Sequence, residues 1–215
     1  MKRRAFTLAE MLITLGIIGV VATLVLPTLN SNMKAAQIGP KLAKAAATFE
    51  QANKAMLNDY DSNRLSDIDL LGAGKEDSYI EELSKYMHIV KDDNYTAKMD
   101  KEIIENNGIA VRSNSGAVFV ISTVGYQPGT GANAANKDRA SDIYIDIDGN
   151  KGPSKLAEDI FVFHLMDNGS LLPKGTSYLY ESHWKDQCPV GQQPVDPAYC
   201  GAQVFENYLR VLYKL

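Results

Sequence analysis

One short stretch of the chain concentrates oxygen-bearing side chains that could bind a cation. Asp146, Asp148 and Asn150 alternate there around a glycine, and Asp159 follows in the next stretch. Carboxylate and amide oxygens are the ligands that calcium prefers. The glycine comes too early for an EF-hand, and Glu158 stands one place from the closing position. A turn built by Asp-Gly and Asn is the favoured interpretation, and a calcium site at Asp146, Asp148, Asn150 and Asp159 is the alternative.

The chain shows no sequence pattern typical of an enzyme active site. It contains no GxSxG, HExxH, phosphate-loop or CxxC motif. Its histidines, His88, His164 and His183, are far apart in sequence. His164 falls in a predicted strand, which favours a structural role, and His183 beside Trp184 favours packing over a ligand surface. We therefore expect no enzyme activity and no required cofactor.

The longest apolar run lies near the N-terminus. It extends from Phe6 to Leu29 and contains one charged residue, Glu10. About 20 apolar residues cross a bilayer as a helix, which is the form that satisfies its own backbone in lipid. The segment Met1-Lys2-Arg3-Arg4-Ala5 precedes the run, so its cations place the N-terminus in the cytoplasm and the later residues outside. We predict a transmembrane helix at residues 6–29, because the run is too long for a signal peptide.

Residues 2–29 resemble the N-termini of type IV prepilins and type II secretion pseudopilins. Arg3-Arg4-Ala5 followed by Phe-Thr-Leu-Ala-Glu is similar to their leader and cleavage site, and Pro27 stands where they have a helix-bending proline. The resemblance implies that a prepilin peptidase cuts between Ala5 and Phe6 and that the new amine of Phe6 is N-methylated. The family nearly always has glycine before the cut. This chain has alanine, which is also small, at position 5.

Glu10 is the one charge inside the predicted span. A carboxylate at that depth is costly unless it finds a cation. The resemblance implies a role in assembly, in which the amine of Phe6 on a neighbouring subunit supplies the cation when subunits stack with an axial stagger. Before assembly, a Glu10 side chain that reaches the cytoplasmic headgroups is the alternative.

The charge balance limits the partners that the protein can have. The chain has 215 residues and a formal charge of −4, and removal of Lys2, Arg3 and Arg4 leaves 19 basic against 26 acidic residues, or −7. No basic patch interleaved with aromatic residues follows the apolar run. We therefore expect no nucleic acid as a partner.

Two cysteines, Cys188 and Cys200, are present, and both follow the predicted span. The predicted topology places them outside the cytoplasm, where disulfides persist. We predict a Cys188–Cys200 disulfide, and the resemblance adds support because many type IV pilins have a bridged loop near the C-terminus. Two free thiols would be expected if the head were cytoplasmic.

Apolar residues at spacings of four and three continue the helical pattern beyond the span. With the span they predict one long helix from Phe6 to about Asn58, in which residues 30–58 are amphipathic and lie on a head of residues 59–215. The predicted stripe consists of Ile38, Leu42, Ala45, Phe49, Ala52 and Met56.

The head shows strand patterns followed by an ambiguous C-terminus. Residues 108–123 predict a hairpin, and Ser141–Gly149 alternates as a half-buried strand does. A further strand is predicted at Asp159–Leu165, and a turn at Asp167-Asn-Gly169 follows it, before Leu171–Pro173. This region loosely resembles the sheet of pilin-like proteins. Major pseudopilins have calcium in their sheet loops, so the resemblance strengthens the calcium alternative, while the turn stays the favoured interpretation. For Val204–Leu215 a helix is expected, and a final strand is the alternative.

The predicted fold is thus α+β and pilin-like, with the long N-terminal helix packed on a small antiparallel sheet. The predicted function is a structural subunit of a type IV pilus or a type II secretion pseudopilus, which the sequence does not distinguish. The expected location is the inner membrane, with the head extracytoplasmic, and then a filament. Expected partners are the membrane, prepilin peptidase, copies of the chain or other pilin-like subunits, and the assembly machinery. A single-span anchored enzyme or ligand-binding protein is the alternative.

Overall fold

A computed structural model of the protein describes residues 7–72, 74–98, 108–122, 139–149, 151, 154–176, 184–189 and 193–213. The predicted leader at residues 1–5 and the cleavage-site residues Ala5 and Phe6 lie outside the described residues, as do Asn150 and His183. The chain divides into two compact units, Met1–Ile38 and Gly39–Leu215.

The first unit contains the beginning of a long helix. This helix, α1, extends over 52 residues, Leu8–Asp59. Nine large apolar side chains between Leu8 and Val21 are 53–80% exposed. In the part of the chain that the structure describes, no helix is both long enough and apolar enough to cross a membrane.

The second unit is an α+β head built around one antiparallel sheet of six strands. The strands follow each other in space in chain order, so each pairs with the next one along the chain. The strands are β1 (Ile89–Lys91), β2 (Ile109–Ser113), β3 (Val118–Ser122), β4 (Arg139–Asp146), β5 (Ile160–Met166) and β6 (Leu171–Pro173).

Short helices connect and flank these strands. They are α2 (Glu76–Leu83), α3 (Asp93–Lys98), α4 (Trp184–Gln187) and α5 (Cys200–Tyr213), with 3₁₀ turns at Leu65–Ile68 and Pro197–Tyr199. The predicted hairpin is confirmed as β2 and β3, and the two later predicted strands are confirmed as β4 and β5, whereas β6 was not predicted. The C-terminal segment is helical, as expected, although α5 begins at Cys200.

The outer part of α1 lies on one face of the sheet. Five residues of the predicted stripe are buried: Leu42, Ala45, Phe49, Ala52 and Met56. The ring of Phe49 stacks on that of Phe119 from β3, with the ring centroids 5.1 Å apart. The backbone N–H of Leu171 in β6 donates to the carboxylate of Glu50 at 3.3 Å. The apolar residues at helical spacing on α1 therefore form part of the core, as the sequence predicts.

The opposite face of the sheet is also buried, which the sequence pattern did not indicate. Its cluster contains Val118, Val120, Tyr144 and Val162, covered by Tyr95 of α3. The prediction of a half-buried strand at residues 141–149 was therefore wrong: β4 is largely buried on both faces. Two covered faces explain how a six-stranded sheet is stabilised in this head.

Candidate functional site

Thr7 and Glu10 form a reciprocal cap at the beginning of α1. The backbone N–H and the hydroxyl of Thr7 both donate to Glu10 Oε2, at 2.8 Å each. The backbone N–H of Glu10 donates in turn to Thr7 Oγ1 at 3.3 Å. This is a capping box, in which the first residue of a Thr-x-x-Glu pattern and the glutamate satisfy each other's backbone groups. The Thr-x-x-Glu pattern is visible in the sequence, but the predicted roles of Glu10 were assembly or a contact with the cytoplasmic headgroups, and not a helix cap.

The cap uses only one of the two oxygens of the Glu10 carboxylate. Among the described residues, no group donates a hydrogen bond to Oε1. Glu10 is exposed, and so are the apolar residues that follow it on α1. The carboxylate is thus fixed in orientation by Thr7 and keeps an acceptor for a further donor.

The acidic stretch after β4 is organised by Asp146, which is 1% exposed. Its Oδ2 accepts from the Tyr95 hydroxyl at 2.7 Å and from the Ser154 hydroxyl at 3.0 Å. Its Oδ1 accepts from the backbone N–H groups of Asp148 and Gly149, at 3.1 and 2.8 Å. Four protein donors therefore satisfy this carboxylate. Burial raises the pKa of Asp146, and these hydrogen bonds oppose that rise.

The turn depends on glycine at position 149. Gly149 has φ +63°, and a Cβ there would lie 2.6 Å from Arg112 Nη1 and 2.8 Å from the Gly116 carbonyl oxygen. A larger residue would be strained in this left-handed backbone conformation, and its Cβ would clash with the β2–β3 hairpin. The favoured interpretation, a turn built by Asp-Gly, thus describes the geometry of this segment.

The other acidic residues of the stretch have separate surroundings. Asp159 Oδ1 accepts from the Lys155 backbone N–H at 2.5 Å. Burial and the nearby charges of Asp148 and Glu158 raise the pKa of Asp159. Asp148 Oδ1 is buried and accepts no hydrogen bond from the described residues. Within those residues, no three His, Cys, Asp or Glu side chains are grouped to hold a metal ion. With Asn150 outside the described part, calcium binding stays a prediction from sequence.

The predicted disulfide joins Cys188, just after α4, to Cys200, the first residue of α5. The two sulfur atoms are 2.04 Å apart and the two Cα atoms 5.3 Å apart. Both cysteines are buried. Inside the bridged loop, the Asp196 carboxylate accepts from the Ala198 backbone N–H at 2.9 Å and begins the 3₁₀ turn. The bridge therefore ties the C-terminal helix to the loop before it.

His164 is a buried structural residue. It is fully buried on β5, and its Nδ1 lies 2.6 Å from Asp142 Oδ1 on β4. The other oxygen of Asp142 accepts from Arg139 at 2.6 Å. Burial by itself would raise the pKa of Asp142, but the His164 contact and the charges of His164 and Arg139 lower it. His88 is exposed and far from this cluster in sequence.

Several of these polar contacts could not be predicted from the sequence. The buried Asn53 of α1 accepts from the Tyr79 hydroxyl at 2.5 Å and donates to the Phe49 carbonyl oxygen at 2.9 Å. The only sequence signal was a polar residue beside a predicted apolar stripe. His164 and Asp142 are cross-strand partners in β5 and β4. That pairing becomes visible only when the strand register is known.

Comparison with known proteins concerns the N-terminal segment. Residues 1–26 match the family described as the prokaryotic N-terminal methylation motif. No curated protein and no solved structure matches the chain. Proteins that carry this motif are generally structural rather than enzymatic. The match includes both residues of the capping box, Thr7 and Glu10, and the predicted cleavage site. Residues 1–26 of this chain carry the prepilin-type signature of type IV pilins and pseudopilins.

Proposed function

We propose that the chain is the precursor of a structural subunit in a type IV pilus or a type II secretion pseudopilus. A prepilin peptidase cuts it between Ala5 and Phe6 and N-methylates Phe6, and the mature chain then assembles with copies of itself or with other pilin-like subunits. The observation that carries the proposal is the N-terminal methylation motif at residues 1–26.

The exposed side chains on the first turns of α1 support a membrane location followed by assembly. Nine large apolar side chains between Leu8 and Val21 are 53–80% exposed. Covering them is worth on the order of 10 kcal/mol, so water is an unfavourable environment for this surface. The uncharged run continues in the sequence to Leu29, which supplies the length of a bilayer span. Lipid covers the segment before assembly, and neighbouring subunits cover it afterwards.

The geometry of Glu10 supports a specific contact in the filament. Thr7 holds Oε2, and Oε1 accepts no hydrogen bond from the described residues. After cleavage the amine of Phe6 is a cation that needs an anionic partner when water is excluded. The Phe6 amine of a neighbouring subunit binds Oε1, while the cap on Oε2 keeps the carboxylate in position. The charge pair then stabilises one axial register between neighbouring subunits.

The remaining features agree with a head outside the cytoplasm. Lys2, Arg3 and Arg4 precede the apolar run and hold that end on the cytoplasmic side of the inner membrane. The Cys188–Cys200 disulfide belongs to an oxidising compartment. Before assembly, the protein therefore lies in the inner membrane with its head outside the cytoplasm. The assembly machinery then extracts it from the membrane into a filament.

The test is to follow processing and assembly in cells that contain a prepilin peptidase and a pilus or secretion assembly system. Mass spectrometry of the wild-type chain should show a mature N-terminus at N-methylated Phe6. Ala5→Trp should leave the chain uncut, because the peptidase needs a small residue before the cut. Glu10→Ala should be cut as wild type and yet be depleted from filaments at least about tenfold, the effect of losing one buried ion-pair partner.

Glu10→Asp is the matched control, because it keeps the charge and shortens the side chain. It should retain part of the assembly that Glu10→Ala loses. A mature chain that does not begin at Phe6 would contradict the proposed processing. Wild-type amounts of Glu10→Ala in filaments would remove the Phe6 amine contact from the mechanism.

A further inference from the structure

The head carries a pocket rich in lysine although the chain is acidic. The pocket has a volume of about 350 Å³, and Lys41, Lys44 and Lys151 line it together with Asp148. We call it the lysine pocket. Its four charged groups sum to +2, whereas the mature chain has a formal charge of −7. A concentration of one sign against the net charge marks a surface that can recognise an acidic partner.

The fold brings these lysines together from separate elements. Lys41 and Lys44 are one turn apart on α1, so both project from the same side of the helix. Lys151 follows β4, and the turn between β2 and β3 contributes Ser115 and Gly116 to the pocket wall. Because Val118 pairs with Asp146, the β2–β3 turn and the end of β4 lie side by side.

The lysine side chains in the pocket have no ion-pair partner in the part of the chain that the structure describes. All three are exposed. Other lysines of the head do have carboxylate partners, such as Lys54 with Glu50 and Lys91 with Asp77. Three neighbouring cations without such partners repel each other, and an acidic group in the pocket would relieve that repulsion.

The same head has an excess of negative charge at the other end of α1. We call residues 59–69 the acidic segment, because it contains four aspartates and one arginine, Arg64. Arg64 already pairs with the Asp167 carboxylate at 2.7 Å. The four aspartates are exposed: Asp59, Asp61, Asp67 and Asp69. Lys75 pairs with one of them, Asp69. Asp59 also accepts a hydrogen bond from the Tyr86 hydroxyl at 2.9 Å, which leaves its negative charge in place. Within the described residues, no cation pairs with Asp59, Asp61 or Asp67, so the segment presents these negative charges to a partner.

The two surfaces are too far apart to meet within one chain. Lys44 and Asp59 are separated along α1 by 15 residues, which corresponds to about 22 Å at the helical rise. Two different surfaces that complement each other between identical chains form a heterologous contact, which repeats without closing if the rotation does not close. Such a contact builds a filament rather than a dimer.

We propose that the lysine pocket of one copy of the chain binds the acidic segment of a second copy. The inference rests on the proposed function, because it assigns a head-to-tail contact to the same filament. The carboxylates of Asp59 and Asp61 enter the region between Lys41, Lys44 and Lys151. The contact is electrostatic and exposed, so salt weakens it, whereas the apolar contacts along α1 persist in salt.

The first test uses cysteine pairs in the full chain, cross-linked in cells that assemble it. A chain with both Lys44→Cys and Asp61→Cys is treated with a short bismaleimide. The native cysteines do not compete, because they are joined in the Cys188–Cys200 disulfide. We expect a ladder of dimers, trimers and longer products, because each copy offers both halves of a heterologous contact. Each single-cysteine chain should give no product longer than a dimer. A double-cysteine chain that also stops at dimers would overturn the proposal.

The second test exchanges the charges. Lys41→Glu with Lys44→Glu, or Asp59→Lys with Asp61→Lys, should each lower the assembled fraction at least about tenfold, because like charges then face each other. All four substitutions in one chain should restore assembly. Lys155→Glu is the matched control, an exposed lysine that does not line the pocket. Each variant should still form the Cys188–Cys200 disulfide, which checks that the head folds.

The outcomes separate the two proposals. If the wild type assembles and the charge variants assemble equally well, the contact is wrong and the filament function stands. If the lysine variants fail and the aspartate variants assemble normally, the pocket has a different occupant and the proposal is overturned. If the wild type is neither cut at Phe6 nor assembled, the proposed function itself fails, and the contact fails with it.

Discussion

The two ends of helix α1 both carry apolar side chains, but only one end buries them within its own chain. From Leu42 to Leu57, seven apolar residues are 0–6% exposed. From Leu8 to Val21, nine large ones are 53–80% exposed. The secondary structure is the same helix in both places. Local sequence therefore determines that α1 is helical. Packing against the rest of the chain determines which of its apolar side chains are buried.

The polar residues on α1 show the same contrast. In the head, the buried Asn53 finds partners in its own chain, with Tyr79 donating to its side-chain oxygen at 2.5 Å. At the beginning of the helix, Thr7 is the one partner that Glu10 has among the described residues. The side-chain amide of Asn53 is thus satisfied within the head. The Glu10 carboxylate, by contrast, keeps an acceptor oxygen for a partner outside the chain.

The strongest way to test this contrast is one truncation at each end of α1. Phe49→Ala should lower the free energy of unfolding of the head by about 3–5 kcal/mol, because it removes a fully buried ring and leaves a cavity. Ile17→Ala should leave that free energy unchanged, because the Ile17 side chain is 60% exposed. Urea unfolding of the detergent-solubilised chain, followed by near-UV circular dichroism, measures both.

The assembled fraction gives the complementary measurement. Ile17→Ala should reduce it, because the side chain loses contact area with neighbouring subunits. If Ile17→Ala destabilised the head as much as Phe49→Ala did, the division of α1 into a self-covered and an externally covered part would be wrong.

A second prediction concerns the pH dependence of the head, where the partners of the Asp142 carboxylate lie in its own chain. Asp142 has His164 and Arg139 as partners in its own chain, and despite its burial they lower its pKa. A carboxyl with a lowered pKa in the folded state contributes stability above its unfolded pKa, and this contribution is lost as the pH falls through the folded pKa. Wild-type stability should therefore decrease on acidification.

Asp142→Asn should remove this part of the acid sensitivity. At about pH 7 it should be less stable than the wild type by about 1–3 kcal/mol, the usual worth of hydrogen bonds to charged groups. The two stabilities should converge as the pH falls below the lowered pKa of Asp142, because the wild-type carboxyl is then protonated as well. Parallel stability curves for the two proteins across this range would show that Asp142 is not the group responsible. Chemical unfolding at a series of pH values supplies the curves.

The sequence predicted the parts of the fold that depend on short-range patterns. The stripe from Leu42 to Met56 has helical spacing, and the hairpin around Asn114–Gly116 has turn residues between two apolar strands. The disulfide followed from two cysteines in a compartment assigned by the N-terminal charges. Each of these rests on residues that are close in sequence or on a choice with few alternatives.

The contacts that the sequence did not predict join residues far apart in the chain. Tyr95 covers the second face of the sheet and donates to Asp146 at 2.7 Å, 51 residues away. The partner of His164 depends on the register between β4 and β5, which a strand pattern alone does not fix. At the acidic stretch the sequence left a turn and a calcium site as alternatives, and the four protein donors to Asp146 became visible only in the structure.

The smallest predicted effect concerns the cap that holds Glu10. Thr7→Val removes the hydroxyl that accepts from the Glu10 N–H and donates to its carboxylate. We expect the beginning of α1 to lose about 1 kcal/mol, the usual worth of an N-cap, so amide hydrogens in its first turn should exchange about fivefold faster in micelles. Thr7→Ser should exchange as wild type. Thr14→Val is the internal control, because the Thr14 hydroxyl donates to the Met11 carbonyl oxygen and caps no helix end. Assembly of Thr7→Val should fall far less than that of Glu10→Ala, because the carboxylate still has the Phe6 amine of a neighbour as its partner. Equal losses for the two variants would show that Glu10 acts through its own helix cap, and the contrast between the self-sufficient head and the dependent first turns would then not extend to this residue.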